Sequence, residues 1–163
     1  MATYYVFGTK KHILIKTIDD NIEVLLNNFS ASSDDSGLTF DIEYRLMNNV
    51  VKKFLFITKL NDFHGFIDQI IGIFNDNGNE VTLFDYYGPL NKRKNIFIKL
   101  NKYNEKETQI QFVYNNRFSD ENNNFTYDIV CYNKYIKKLI KIGTSIYKKF
   151  IKQIDRISKK KYC

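Results

Sequence analysis

The ten residues 37–46, Gly-Leu-Thr-Phe-Asp-Ile-Glu-Tyr-Arg-Leu, decide the class of fold. Leu38, Phe40, Ile42, Tyr44 and Leu46 alternate with Thr39, Asp41, Glu43 and Arg45, the period of two that gives a strand one apolar and one wet face. Asn48-Asn49 turns the chain into a second apolar run, Val50 to Leu60, which predicts a hairpin. Phe63, Phe66, Ile67, Ile70, Ile71 and Phe74 follow at helical spacing, with Asn61 or Asp62 as N-cap and Asn77-Gly78 as the stop. A hairpin that feeds a helix buries both apolar faces against one another, the signature of an antiparallel α+β fold.

Toward the N-terminus, Thr3 to Phe7 and His12 to Thr17 flank Gly8-Thr9-Lys10-Lys11, so a short hairpin is expected there. Asp19 and Asp20 then offer caps for a helix carrying Ile22, Val24, Leu25, Leu26 and Phe29, closed by the polar loop Ser30 to Gly37. This predicts hairpin-helix, hairpin-helix. The stretch Ile13 to Leu26 resembles Leu55 to Ile70 in pattern, a weak internal pseudo-symmetry.

Toward the C-terminus, Glu80 to Tyr86, Asn95 to Leu100, Thr108 to Tyr114 and Phe125 to Tyr132 read as an antiparallel meander. Asn133 then caps a long amphipathic helix whose stripe is Ile136, Leu139, Ile140, Ile146, Tyr147, Phe150, Ile154 and Ile157, expected to pack on the sheet. Gly143 within it costs about 1 kcal/mol relative to Ala, so it predicts a close crossing or a bend.

At 163 residues, 44% hydrophobic and 16% aromatic, the chain can bury one core, and residues 1–163 are read as a single α+β domain. Its start lacks a basic and apolar leader, and no stretch approaches the ~18 apolar residues of a membrane span. A cytoplasmic location without a membrane span is the expectation. Cys131 and Cys163 match no disulfide or zinc spacing and are read as free thiols. His12 and His64 stand far apart, so no metal site is expected.

His64 has Asp68 one helical turn on to orient its ring, but no serine or cysteine stands in a nucleophile context. The seven glycines are scattered singly and make no phosphate loop. These absences predict a binding protein rather than an enzyme, without a cofactor.

Charge is the most informative bulk property. Residues 1–90 hold 7 basic and 12 acidic side chains, −5, and residues 91–163 hold 18 and 6, +12, which recovers the net +7. Such polarity points to a charged partner. Asp34, Asp35, Asp41 and Glu43, with Tyr44 as an aromatic anchor, form the candidate partner-binding surface, suited by complementarity to a basic protein.

In class the chain is similar to bacterial toxin-immunity proteins, which are small α+β domains without catalytic motifs. That resemblance implies a non-catalytic inhibitor covering a protein toxin such as a nuclease. The alternative is nucleic-acid binding by the basic half, with Lys92, Arg93, Lys94, Lys148, Lys149 and Lys152 as phosphate contacts. The plain alternative for the helix lysines is a solvated outer face.

Overall fold

A computed structural model describes residues 5–86, 94–116 and 124–161. The fold is α+β, with two antiparallel sheets and two helices, the second long and packed at the C-terminal end. The first sheet contains β1 (Val6–Gly8), β2 (Ile13–Lys16), β3 (Ile22–Ser32), β4 (Gly37–Leu46) and β5 (Asn49–Lys59). Helix α1 (Leu60–Phe74) leads to the second sheet, β6 (Glu80–Phe84), β7 (Lys94–Lys102), β8 (Glu107–Asn116) and β9 (Phe125–Tyr132), and α2 (Asn133–Lys161) closes the chain. Sheet order is β1-β3-β4-β5, with β2 also on β3, and β6-β7-β8-β9.

The alternation in residues 37–46 is realised as expected. Leu38, Phe40 and Ile42 are buried, and Phe40 stacks on Phe29 and Phe56 with ring centroids 4.8 and 5.2 Å apart. The β4–β5 turn is Met47-Asn48, both at positive φ (50° and 70°) between the paired Leu46 and Asn49. That is the two-residue turn whose twist suits adjacent strands, built here without glycine. The meander and the C-terminal helix also stand where their patterns put them.

Two N-terminal expectations are corrected. The predicted helix after Asp19-Asp20 is strand β3. Its inward residues are Val24 and Leu26, then Phe29 and Ala31, because a bulge between Asn27 and Ser30, with Asn28 at φ 56°, shifts the alternation by one residue. A strand with a bulge shows apolar spacings of two and three, which imitates a helix. Asp19 does not cap: it accepts hydrogen bonds from the Thr17 hydroxyl (2.5 Å) and the Asn21 N–H (3.2 Å), shaping a tight turn with Asp20 at φ 61°.

The predicted first hairpin is also absent. β1 and β2 do not pair with each other but lie end to end along β3, Val6 opposite Ser32 and Ile13 opposite Leu26. Thr9 N–H still donates to the Phe29 carbonyl of β3 (3.2 Å), and residues 10–12 then leave the sheet edge, a displacement that matters below.

The real internal repeat is larger than hairpin-helix: apart from β1, each half is a short edge strand, three longer strands and a helix. The sheets meet at two equivalent corners. Tyr86 N–H, two residues past β6, donates to the Ile57 carbonyl, three residues before α1 (2.7 Å); Ile18 N–H, two past β2, donates to the Val130 carbonyl, three before α2 (3.2 Å). Helix starts at 60 and 133 differ by 73, and that shift carries Phe63, Phe66, Ile67 and Ile73 of α1 onto Ile136, Leu139, Ile140 and Ile146 of α2. One core cluster joins both sheets and both helices.

Where α1 and α2 cross, Gly143 supplies the clearance, since a Cβ there would lie 2.7 Å from Cδ1 of Ile67 and 3.3 Å from Cζ of Phe63. The close crossing expected from the glycine is therefore present. Asn133 fixes the start of α2: its side chain accepts from the Thr108 hydroxyl (2.7 Å) and donates to the Glu105 carbonyl (3.0 Å).

Candidate functional site

The excursion at residues 10–12 carries Lys10, Lys11 and His12 against the middle of α2, which packs on β2 and α1. The Lys11 ammonium donates to the Ser145 hydroxyl of α2, and the Lys11 backbone N–H donates to Thr9 Oγ1 (3.3 Å). Together they form a shallow open groove lined by Lys11, Lys141, Thr144, Ser145, Lys148, Lys149 and Lys152, continuous with one lined by Lys10, His12 and Ile142. Lys141, Ser145, Lys148 and Lys152 follow one another at intervals of four, three and four residues, so they share a face of α2.

The chemistry of that groove is cationic, without counter-charges among the described residues. Among the described residues, none of Lys10, Lys11, Lys141, Lys148, Lys149 and Lys152 stands in an ion pair, and all six are exposed. Ammonium groups brought together without counter-charges raise the local potential and favour a polyanion. Lys134 and Lys138, nearer the helix start, lie instead over the Tyr135 ring at 5.2 and 5.6 Å.

The predicted phosphate contacts divide accordingly. Lys148, Lys149 and Lys152 line the groove. Lys94 opens β7, while its side chain, Lys92 and Arg93 lie outside the described residues. Lys10, Lys11 and Lys141 were not among the predicted phosphate contacts; the helical spacing from Lys141 to Lys152 was available as a signal, but the arrival of Lys11 was not, because it depends on β1 and β2 failing to pair.

The acidic candidates sit elsewhere and are spoken for. Asp34 and Asp35 occupy the β3–β4 turn, where Asp34 accepts from the Ser32 hydroxyl and the Asp35 N–H (2.9 Å), and Asp35 accepts from the Gly37 N–H (2.9 Å). The Ser32 hydroxyl, more than any other group, holds the Asp34 carboxyl below its ordinary range. On the outer face of the first sheet, Glu43 is buried and pairs with Arg45 (2.7 Å) and Lys53 (3.8 Å), and Asp41 pairs with Lys53 (3.7 Å) and accepts from Asn28 (2.8 Å).

Tyr44 projects from the opposite face. Its ring stacks on Tyr127 of the second sheet at 3.8 Å and 10°, and burial, reinforced by Tyr127, pushes its hydroxyl above the ordinary range. The five candidates therefore do not form one surface. Tyr44 instead joins Phe54, Tyr114, Phe125 and Tyr127 in an aromatic cluster closing one end of the sandwich, with the Lys52 ammonium 5.3 Å above Phe125.

His64 stacks on Tyr147 of α2 (4.2 Å, 18°), and its Nδ1 lies 3.6 Å from Asp68. The arrangement ties α1 to α2. Cys131 is a free, buried thiol, and burial pushes its pKa up to about 12. Among the described residues, no group of three or more His, Cys, Asp or Glu is placed to hold a metal, and no helix is long and apolar enough to cross a membrane.

The two antiparallel sheets, one of five strands and one of four, each followed by a helix, define the class by fold as α+β. A solved structure described as that of the plant transcriptional regulator PBF-2 is similar over 98% of this chain and 88% of its own, with TM-score 0.55 and 8% identity. At that identity the likeness is one of fold. No protein-family model matches the chain, and no curated protein sequence does.

Proposed function

We propose that this chain is a nucleic-acid-binding protein that seats a phosphate backbone in the groove between residues 10–12 and α2. The observation that supports it is the convergence of Lys11, Lys141, Lys148, Lys149 and Lys152, exposed and without ion-pair partners among the described residues. Lys152 lies eleven positions beyond Lys141 on the helix, about 16 Å of rise, comparable with about five nucleotides of one strand at about 3.4 Å each. Ser145 and Thr144 add hydroxyls that can donate to phosphate oxygens between the cations. A structural neighbour described as a transcriptional regulator is in keeping with this reading, though it contributes fold rather than function.

Inhibition of a toxin such as a nuclease, through the acidic surface, has less to draw on. Of the four acidic candidates, Asp41 and Glu43 are already paired with Lys53 and Arg45, which leaves Asp34 and Asp35 of the β3–β4 turn, uncompensated among the described residues, for a basic partner. Fluorescence anisotropy with labelled oligonucleotides, single-stranded and duplex, separates the two. The nucleic-acid reading predicts binding at ~50 mM salt that is lost in Lys11→Glu/Lys148→Glu/Lys152→Glu and retained in Asp34→Lys/Asp35→Lys/Asp41→Lys. Absence of wild-type binding to every oligonucleotide at that salt contradicts it.

A further inference from the structure

The groove along α2 has one lining side chain that is not a lysine and can still become a cation. His12 sits with Lys10, Lys11, Lys141, Ile142 and Ser145 in the stretch of groove beside residues 10–12. Two anchors fix its place. The residue before it, Lys11, is tied through its ammonium to Ser145 of α2, and the residue after it, Ile13, opens β2 and pairs with Leu26 of β3. His12 is exposed, as are Lys10, Lys11 and Lys141 around it.

The charged groups that share this groove with His12 are cations. Lys10 and Lys11 come from its own segment, Lys141 comes from α2, and Lys148, Lys149 and Lys152 continue the same groove. On the sheet side, His12 stands one position beyond the Ile13–Leu26 pair, level with Asn27, whose partner on β4 is Asp41. That carboxylate is committed to Lys53 and Asn28. Among the described residues, no carboxylate lines either stretch of the groove. The chain's other histidine, His64, belongs to the α1–α2 contact, stacked on Tyr147 and beside Asp68.

Histidine is the side chain whose ordinary titration falls between about pH 5 and about pH 8. Among lysines alone, one more positive charge is opposed by its neighbours; beside phosphate oxygens, the same charge is favoured. We infer, on the nucleic-acid reading above, that His12 is a proton-linked phosphate contact: seating the phosphate backbone draws a proton onto its imidazole, which then donates to a phosphate oxygen. The linkage has a defined sign. A group that holds its proton more firmly in the complex than in the free chain strengthens the complex as pH falls, so nucleic acid is bound more tightly at about pH 5.5 than at about pH 7.5. Uptake of a single proton at an exposed position gives about a three- to tenfold gain over that interval.

Fluorescence anisotropy at the two pH values tests it, with labelled oligothymidine and its duplex with oligodeoxyadenosine, neither of which titrates in this range. The wild type should bind about three- to tenfold more tightly at the lower pH, with a salt slope steeper by about 0.7 to 0.9, the mark of one more cation on the backbone. His12→Gln should bind equally at both pH values. His12→Lys should bind at about pH 7.5 as tightly as the wild type does at about pH 5.5, again without pH dependence, and His64→Gln should keep the wild-type response. Because His12 is exposed, neither substitution removes a buried contact, and the circular dichroism spectrum should be unchanged. A wild-type affinity equal at both pH values, or a pH response that survives in His12→Gln, overturns the inference and leaves the groove reading standing. Absence of wild-type binding to both probes at both pH values and ~50 mM salt overturns the two together.

Discussion

Gly143 of α2 lies so close to Ile67 of α1 that any side chain on it would meet the Ile67 methyl at 2.7 Å. The glycine is the price of bringing the two helices together, and its lost helix propensity is offset by the burial of Ile67, Ile70 and Ile146 around the crossing. Gly143→Ala gains about 1 kcal/mol of propensity but overpacks a closed contact, which costs about 1–3 kcal/mol. Urea denaturation is expected to show a net loss, recovered in part by Ile67→Val in the same chain. A stabilised Gly143→Ala protein would mean that the crossing opens freely.

Phe40 tests the aromatic core. Fully buried between Phe29 and Phe56, it leaves a cavity on truncation, so Phe40→Ala is expected to cost about 3–5 kcal/mol in chemical denaturation. Phe40→Leu should cost clearly less, because it keeps most of the volume.

Asp85 tests the corner between the sheets. Its buried carboxylate accepts from the Ile57 N–H at 2.9 Å, beside the Tyr86-to-Ile57 backbone bond. Asp85→Ala leaves a buried N–H unsatisfied and is expected to lower stability by about 1–3 kcal/mol, with faster amide exchange at Ile57 as the local signature.

Cys131 gives the fold a pH dependence of defined sign. Its thiol titrates near 9.0 when unfolded and at about 12 in the fold, so the folded state retains a proton that the unfolded state gives up. The stabilisation is present below pH 9.0 and is lost as pH rises toward about 12. Comparison with Cys131→Ala isolates it: the wild type should lose stability more steeply in that window, by up to about 1.4 kcal/mol per pH unit. At pH 8 the native thiol should resist a disulfide reagent that modifies it after denaturation.

Legibility from sequence followed how local each feature is. The β4–β5 hairpin, α1, the meander and α2 are set by unbroken periods of 2 or 3.6 and were readable. β3 was not, because the bulge at Asn28 breaks its alternation, and Asp19 serves a turn as readily as a cap. The pairing of β1 and β2 with β3 rather than with each other is a tertiary choice, and it alone carries Lys11 to Ser145. The face of Tyr44 was legible too: its parity matches Phe40 and Ile42, not Asp41 and Glu43.

The salt dependence of nucleic-acid binding is the most direct measure of the proposed function. Wild-type affinity should fall log-linearly with salt, and each of Lys11→Gln, Lys148→Gln and Lys152→Gln should reduce the slope by about 1 while weakening all sequences alike. Asp41→Asn, on the far sheet face, should leave the slope unchanged. Slopes identical among wild type and the three lysine variants, or no binding at ~50 mM salt, would contradict the assignment of the α2 groove.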